Sequence, residues 1–133
     1  MRNEEHEVQK AICNYLDIRK VCYWAVPNGC NRSKSEAGRL KAEGVKAGVP
    51  DITVVHDGMY YGLEVKKPST MTPKGYLSKA QKNMIKIIED VGGGSVKVVY
   101  SVADVILWLN TEVHALPLAL RVILFCFILY FCV

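Results

Sequence analysis

The chain has 133 residues, a formal net charge of +4, and a composition of 50% hydrophobic and 23% charged residues. This length suits one domain of ordinary size, and this composition excludes an intrinsically disordered chain. The five cysteines include no Cys-x-x-Cys pair, which argues against a zinc site and favours free thiols in a reducing compartment. The polar segment 1–7 is unlike a secretory leader, so we expect a cytoplasmic protein.

The predicted elements mix helices and strands along the chain. Apolar residues three or four apart indicate helices, whereas β-branched and aromatic runs indicate strands. In chain order they are a helix over 4–19, a strand over 21–26, a short helix over 36–43, strands over 49–55 and 60–66, a helix over 79–91, a strand over 96–100 and a helix over 102–110. Asp57-Gly58 predicts a hairpin turn, and Ser78 predicts a helix N-cap. Trp24 and Trp108 are predicted core residues.

Residues 113–133 form an apolar tail that differs sharply in composition from the preceding chain. The stretch 116–133 reads LPLALRVILFCFILYFCV, with Arg121 as its one charge. A membrane span needs about 20 apolar residues, so this stretch is marginal. We weigh a tail anchor, a helix in a dimer interface and an altered C-terminus such as a frameshift, and we favour the last two. The prediction is therefore one α/β domain over 1–112 and a tail, with no membrane association.

Three charged residues occur on the predicted hairpin, with Asp51 near the start of one strand and Glu64 and Lys66 on the other. Alternate side chains of a strand share a face, so Glu64 and Lys66 lie side by side, with Asp51 across from them. Two carboxylates can hold Mg²⁺, which polarises a phosphoryl oxygen and lowers the pKa of a bound water. Lys66 can orient that water and offset charge in the transition state. The backbone carbonyl of Val65 is an additional predicted metal ligand.

Five sequence blocks together resemble one nuclease family. They are, in order, Glu7-Val8-Gln9, Val26-Pro27-Asn28-Gly29, Gly44–Asp51, Gly62–Lys66 and Leu77–Gln81. With the PD…ExK pattern on a hairpin, they resemble the VRR-NUC branch (virus-type replication and repair nucleases) of the PD-(D/E)XK superfamily, including its small standalone phage versions. The resemblance covers about 5–100. It implies a restriction-endonuclease-like αβββαβ core, in which a central mixed sheet is flanked by helices.

The resemblance also implies roles for individual residues. Asp51 and Glu64 are the implied metal ligands, and Lys66 is the implied catalytic lysine. Glu7, from the first helix, is the implied extra acid that binds or orients the metal or its water, and Glu4 competes with it for that role. Gln81 is implied to orient water or a backbone phosphate.

Polar and basic side chains precede the predicted site strand and are candidates for contacts with DNA phosphates. The best candidates are Asn28, Arg32, Lys34 and Lys46.

The resemblance implies a Mg²⁺- or Mn²⁺-dependent endodeoxyribonuclease. Its expected substrate is branched DNA such as a four-way (Holliday) junction, in the replication, recombination or repair of a phage or mobile element within a bacterial cell. Two coordinated cuts need two sites, so we expect a homodimer. The alternatives are a non-catalytic nucleic-acid-binding module and a sequence-specific restriction-type endonuclease, and RNA stays open as a substrate.

Overall fold

The computed structural model describes residues 2–28, 33–56, 58–67 and 76–112, which contain eight helices and strands. In chain order these are α1 (Arg2–Ile18), β1 (Cys22–Ala25), α2 (Lys34–Ala42), β2 (Ile52–His56), β3 (Met59–Val65), α3 (Lys79–Val91), β4 (Gly94–Val99) and α4 (Val102–Glu112). The predicted order of elements and the mixed α/β class are confirmed. Arg32 and the tail 113–133 lie outside the described residues.

The four described strands form one mixed sheet in the order β1-β2-β3-β4. β1 pairs with β2 and β2 with β3 in antiparallel fashion, whereas β3 and β4 are parallel. His56 pairs with Met59, so the predicted hairpin is present, and Gly58 takes a φ of +75° that favours glycine. Parallel strands need a long crossover connection, and α3 is the helix of that connection.

Alternation along the strands divides their side chains between two faces. The first face carries the core of the sheet. Its buried residues are Ile52, Val54, Tyr61, Leu63, Val65 and Val99. α1 adds Ile12 and Leu16, which are fully buried and four residues apart. The second face carries Gly62 and Glu64. Gly94 is on this face too, since it pairs with Tyr60, two residues before Gly62. A Cβ at Gly94 would lie 3.3 Å from Ile88 Cγ2, which shows that α3 packs on this side of the sheet.

The beginning of α3 is fixed by a reciprocal cap. The Ser78 side chain accepts a hydrogen bond from Gln81 N at 3.2 Å, and Ser78 N donates to Gln81 Oε1 at 2.8 Å. The predicted N-cap is therefore confirmed, and the predicted bounds of this helix are those observed. The cap also orients the Gln81 side chain, which matters for the site below.

The chain divides into two compact units, Met1–Val102 and Ala103–Val133. In the described part of the second unit, Val105, Trp108 and Leu109 are buried, so the prediction for Trp108 is confirmed. Trp24 is 51% exposed, and its predicted place in the core is wrong, because β1 is an edge strand of the sheet. Among the described residues, no helix is both long and apolar enough to cross a membrane.

Candidate functional site

Four side chains meet where β2 begins and β3 ends. The β2–β3 register, extended by one residue, places Asp51 opposite Glu64. Lys66 Nζ donates to Glu64 Oε1 at 2.7 Å, and Gln81 Nε2 donates to the same oxygen. The hairpin therefore brings together the three charged residues that its alternation predicted, and the first turn of α3 adds the predicted glutamine. We call Asp51, Glu64, Lys66 and Gln81 the carboxylate cluster.

Asp51 is oriented by the backbone of the neighbouring strand. Val65 N donates to Asp51 Oδ2 at 3.0 Å. Asn28 Nδ2 lies 3.5 Å from Asp51 Oδ1 and donates to Val49 O at 2.6 Å. The carboxylate is thus held on both of its oxygens. Val65 thus orients Asp51 through its amide. The role of the Val65 carbonyl as a metal ligand stays a prediction.

The Glu64 carboxylate is almost completely buried, since only 1% of the residue is exposed. Burial raises the pKa of Glu64 to about 7, and the negative charge of Asp51 adds to the rise, whereas the hydrogen bond from Lys66 opposes it. The Lys66 side chain is itself only 12% exposed. When both carboxylates are ionised, Asp51, Glu64 and Lys66 together carry one net negative charge.

This donor set suits a hard divalent cation. Mg²⁺ usually binds through one or two carboxylates and takes its other ligands from water and substrate phosphates. Asp51 and Glu64 supply two neighbouring carboxylates whose mutual repulsion a cation would relieve. No group of three or more His, Cys, Asp or Glu side chains within 2–28, 33–56, 58–67 and 76–112 could hold an ion alone. The cluster therefore fits Mg²⁺ or Mn²⁺ with water and substrate oxygens completing the coordination.

Two glycines allow the backbone to pack closely around the cluster. A Cβ on Gly62 would lie 2.5 Å from Pro50 Cγ, so the absence of a side chain lets the proline ring before Asp51 pack on β3. Gly48 has a φ of +82°, and a Cβ there would lie 2.7 Å from Gln81 N. Because Gly48 lies against the first turn of α3, it sets the distance between that turn and Asp51, which directly precedes β2.

The contact found for Glu7 is within α1 and not with the carboxylate cluster, so its role as the extra acid stays a prediction. Glu7 is exposed and lies 3.6 Å from Lys10 Nζ on the same helix. Glu5 instead reaches the end of β3, where its Oε1 accepts a hydrogen bond from Lys67 N at 3.3 Å. Two residues correspond to about 200° of helix rotation, so Glu5 and Glu7 lie on opposite sides.

The candidate DNA-contacting residues occupy different places. Asn28 touches Asp51 and lines the same surface as Lys46, which is exposed in the loop before β2. Lys34 is exposed at the beginning of α2. The prediction for Arg32 falls outside the described residues. Three of the four candidates are thus on the surface, and two adjoin the carboxylate cluster.

The raised pKa of Glu64 should make the stability of the metal-free protein depend on pH. Its pKa rises from 4.5 to about 7 on folding, so between these values the folded protein holds a proton that the unfolded chain has released. We therefore expect the free energy of unfolding to decrease as pH rises from 4.5 to 7. Urea unfolding in EDTA at several pH values measures this change. The decrease should be smaller in Glu64→Gln, and an identical decrease in both proteins would contradict the buried acid.

Comparison with known proteins gives no match. No protein-family model matches the sequence, no curated protein does so, and no solved structure does so.

Proposed function

We propose that the protein is a metal-dependent DNA endonuclease of the PD-(D/E)XK type, with a restriction-endonuclease-like core and a sequence that resembles the VRR-NUC branch. The observation that carries this proposal is the buried Glu64, bonded to Lys66 and Gln81 and faced by Asp51. A buried acid beside a second acid destabilises the fold, and such strongly perturbed groups cluster at functional sites. The element order and the mixed sheet support the same proposal.

Each residue of the carboxylate cluster has a part in the proposed hydrolysis. A divalent cation held by Asp51 and Glu64 would polarise a phosphoryl oxygen and supply a water of lowered pKa. Lys66 orients the attacking water and offsets the negative charge that builds on the phosphoryl group. Gln81 and Lys66 fix the orientation of Glu64 through its Oε1. Water attacks phosphorus, and the bond to the 3′ oxygen breaks, which leaves a 5′-phosphate and a 3′-hydroxyl as in the superfamily that the sequence resembles.

Branched DNA is the proposed substrate, with a four-way junction as its main example, and a homodimer is the proposed active form. The likeness to standalone phage nucleases supports both, together with a role in replication, recombination or repair in the bacterial cytoplasm. Resolution of a junction requires two cuts on opposing strands, and a symmetric dimer presents two identical sites. The net charge of +4 favours association with a polyanion.

Cleavage of a set of DNA substrates tests the proposed function. A four-way junction, a flap, a linear duplex and a supercoiled plasmid would each be incubated with the full chain in Mg²⁺, Mn²⁺ or EDTA. We expect paired, symmetric cuts in the junction with either metal and none in EDTA. Cleavage of the plasmid alone would support the proposed nuclease activity and contradict the proposed preference for junctions. DNA binding without cleavage in any metal would overturn the catalytic proposal and leave a binding module.

A further inference from the structure

A groove of about 550 Å³ adjoins the carboxylate cluster, between α2 and the beginning of α3. Three of its lining residues are members or direct partners of the cluster, and one of them is Ser78, which caps α3 through Gln81. Asn28 lies 3.5 Å from Asp51 Oδ1, and Gln81 donates to Glu64. A molecule in the groove would therefore lie next to the site of the proposed hydrolysis.

The walls of the groove combine apolar surface with positive charge. Ala37, Leu40 and Lys41 share one face of α2, because they are three and four residues apart. The loop that follows α2 adds Val45 and Lys46 to the lining. None of the described residues that line the groove is acidic. Such a surface suits a ligand with a flat apolar part and a phosphate.

We propose that this groove binds one unpaired nucleotide of the substrate strand, next to the bond that is cut. The proposal rests on the proposed nuclease function and specifies its substrate. A volume of about 550 Å³ lies within the range of small-ligand pockets, which is about 300–1,000 Å³, and suits a single nucleotide. The base contacts Leu40 and Val45, and the adjoining phosphate pairs with Lys41 and Lys46.

A groove of this kind gives the enzyme a reason to select flaps, loops and frayed branch points, where a base beside the cut is unpaired or easily unpaired, over an intact duplex. A base in an intact duplex must first be unstacked and unpaired, and that cost is lowest for a base that is already unpaired. Strands with an unpaired nucleotide beside the cut therefore enter at the lowest cost. The enzyme would therefore select DNA by whether one nucleotide is paired. It would not select by sequence, since none of the proposed contacts distinguishes one base pair from another.

Binding of a labelled oligothymidylate of six nucleotides, measured by fluorescence anisotropy in EDTA, tests the groove without cleavage. We expect Lys41→Ala to weaken binding about fivefold. The slope of log affinity against log salt should fall by about 0.7, the value for one lost phosphate contact with a single strand. Arg39→Ala is the matched control, since Arg39 is on the same helix, pairs with Glu43 at 3.4 Å and does not line the groove. Equal effects of the two variants would overturn the proposal.

A steric pair of variants tests the selectivity. Ala37 and Ala42 are both exposed on α2, but only Ala37 lines the groove. We expect the wild type to cut a duplex with an unpaired nucleotide at least about tenfold faster than a fully paired one. Ala37→Trp should reduce this ratio to near one, and Ala42→Trp should leave it unchanged. An unchanged ratio in Ala37→Trp would overturn the groove proposal and leave the nuclease intact. If the wild type cuts neither DNA, the nuclease proposal fails, and oligothymidylate binding alone decides whether the groove takes a nucleotide.

Discussion

Glu64→Gln is expected to reduce metal-dependent DNA cleavage by about 10³-fold or more. Glutamine keeps the size of the side chain and an oxygen that can accept from Lys66, so the fold is retained, whereas one of the two proposed anionic metal ligands is lost. A bound metal supplies several kcal/mol of transition-state stabilisation, and each 1.36 kcal/mol corresponds to a factor of ten. Single-turnover cleavage of a four-way junction in Mg²⁺ measures the loss. Cleavage within tenfold of the wild type would contradict the role of Glu64.

Lys66→Met separates metal binding from catalysis at the same site. Lys66 contacts Glu64 and is not among the proposed metal ligands, so we expect this variant to bind Mn²⁺ while cleaving about 10²–10³-fold more slowly. Glu64→Gln should lose both properties. Glu89→Gln and Lys82→Met are the matched controls, because both residues are exposed on α3. Melting temperatures of all four variants would show that none has lost its fold.

Gly48→Ala is expected to cause the largest loss of stability among substitutions near the site. The φ of +82° costs an alanine about 1–2 kcal/mol, and the collision with the first turn of α3 adds about 1–3 kcal/mol. The sum is a decrease of about 2–5 kcal/mol in the free energy of unfolding. Urea unfolding followed by circular dichroism measures it. If the first turn of α3 moves away to relieve the collision, Gln81 separates from Glu64.

Gly44→Ala controls for the backbone conformation alone. Gly44 has a φ of +95°, but a Cβ there would meet nothing within 4 Å. We expect this variant to lose only about 1–2 kcal/mol, the cost of a left-handed alanine. Equal losses in the two variants would show that the contact of Gly48 with α3 does not constrain the fold.

Local sequence signals predicted the parts of the structure that depend on neighbouring residues. α3 has its predicted bounds because Ser78 caps it and glycine ends it, and both signals lie within a few residues of the helix. The pairing of Glu64 with Lys66 followed from the alternation of strand side chains, and the position of Asp51 followed from the hairpin. The part of the site that the hairpin supplies is therefore accessible to sequence analysis.

Features that depend on distant parts of the chain were predicted poorly. The exposure of Trp24 results from the position of β1 at the sheet edge, which the composition of that strand does not reveal. The role of Gly48 results from a helix about thirty residues further along the chain. The contact of Glu5 with the backbone of Lys67 was not predicted, although a signal for it was present. Glu5 lies three residues before Val8 and seven before Ile12, on the side of α1 that faces the core.

We expect DNA cleavage to depend on a cation that Asp51 and Glu64 hold. Mn²⁺ titration followed by calorimetry, with junction cleavage measured over the same Mn²⁺ concentrations, tests it most directly. In the wild type, half-maximal cleavage should occur near the metal dissociation constant, and Glu64→Gln should abolish both binding and cleavage. Cleavage that persists in EDTA, or Mn²⁺ binding that is unchanged in Glu64→Gln, would contradict the claim.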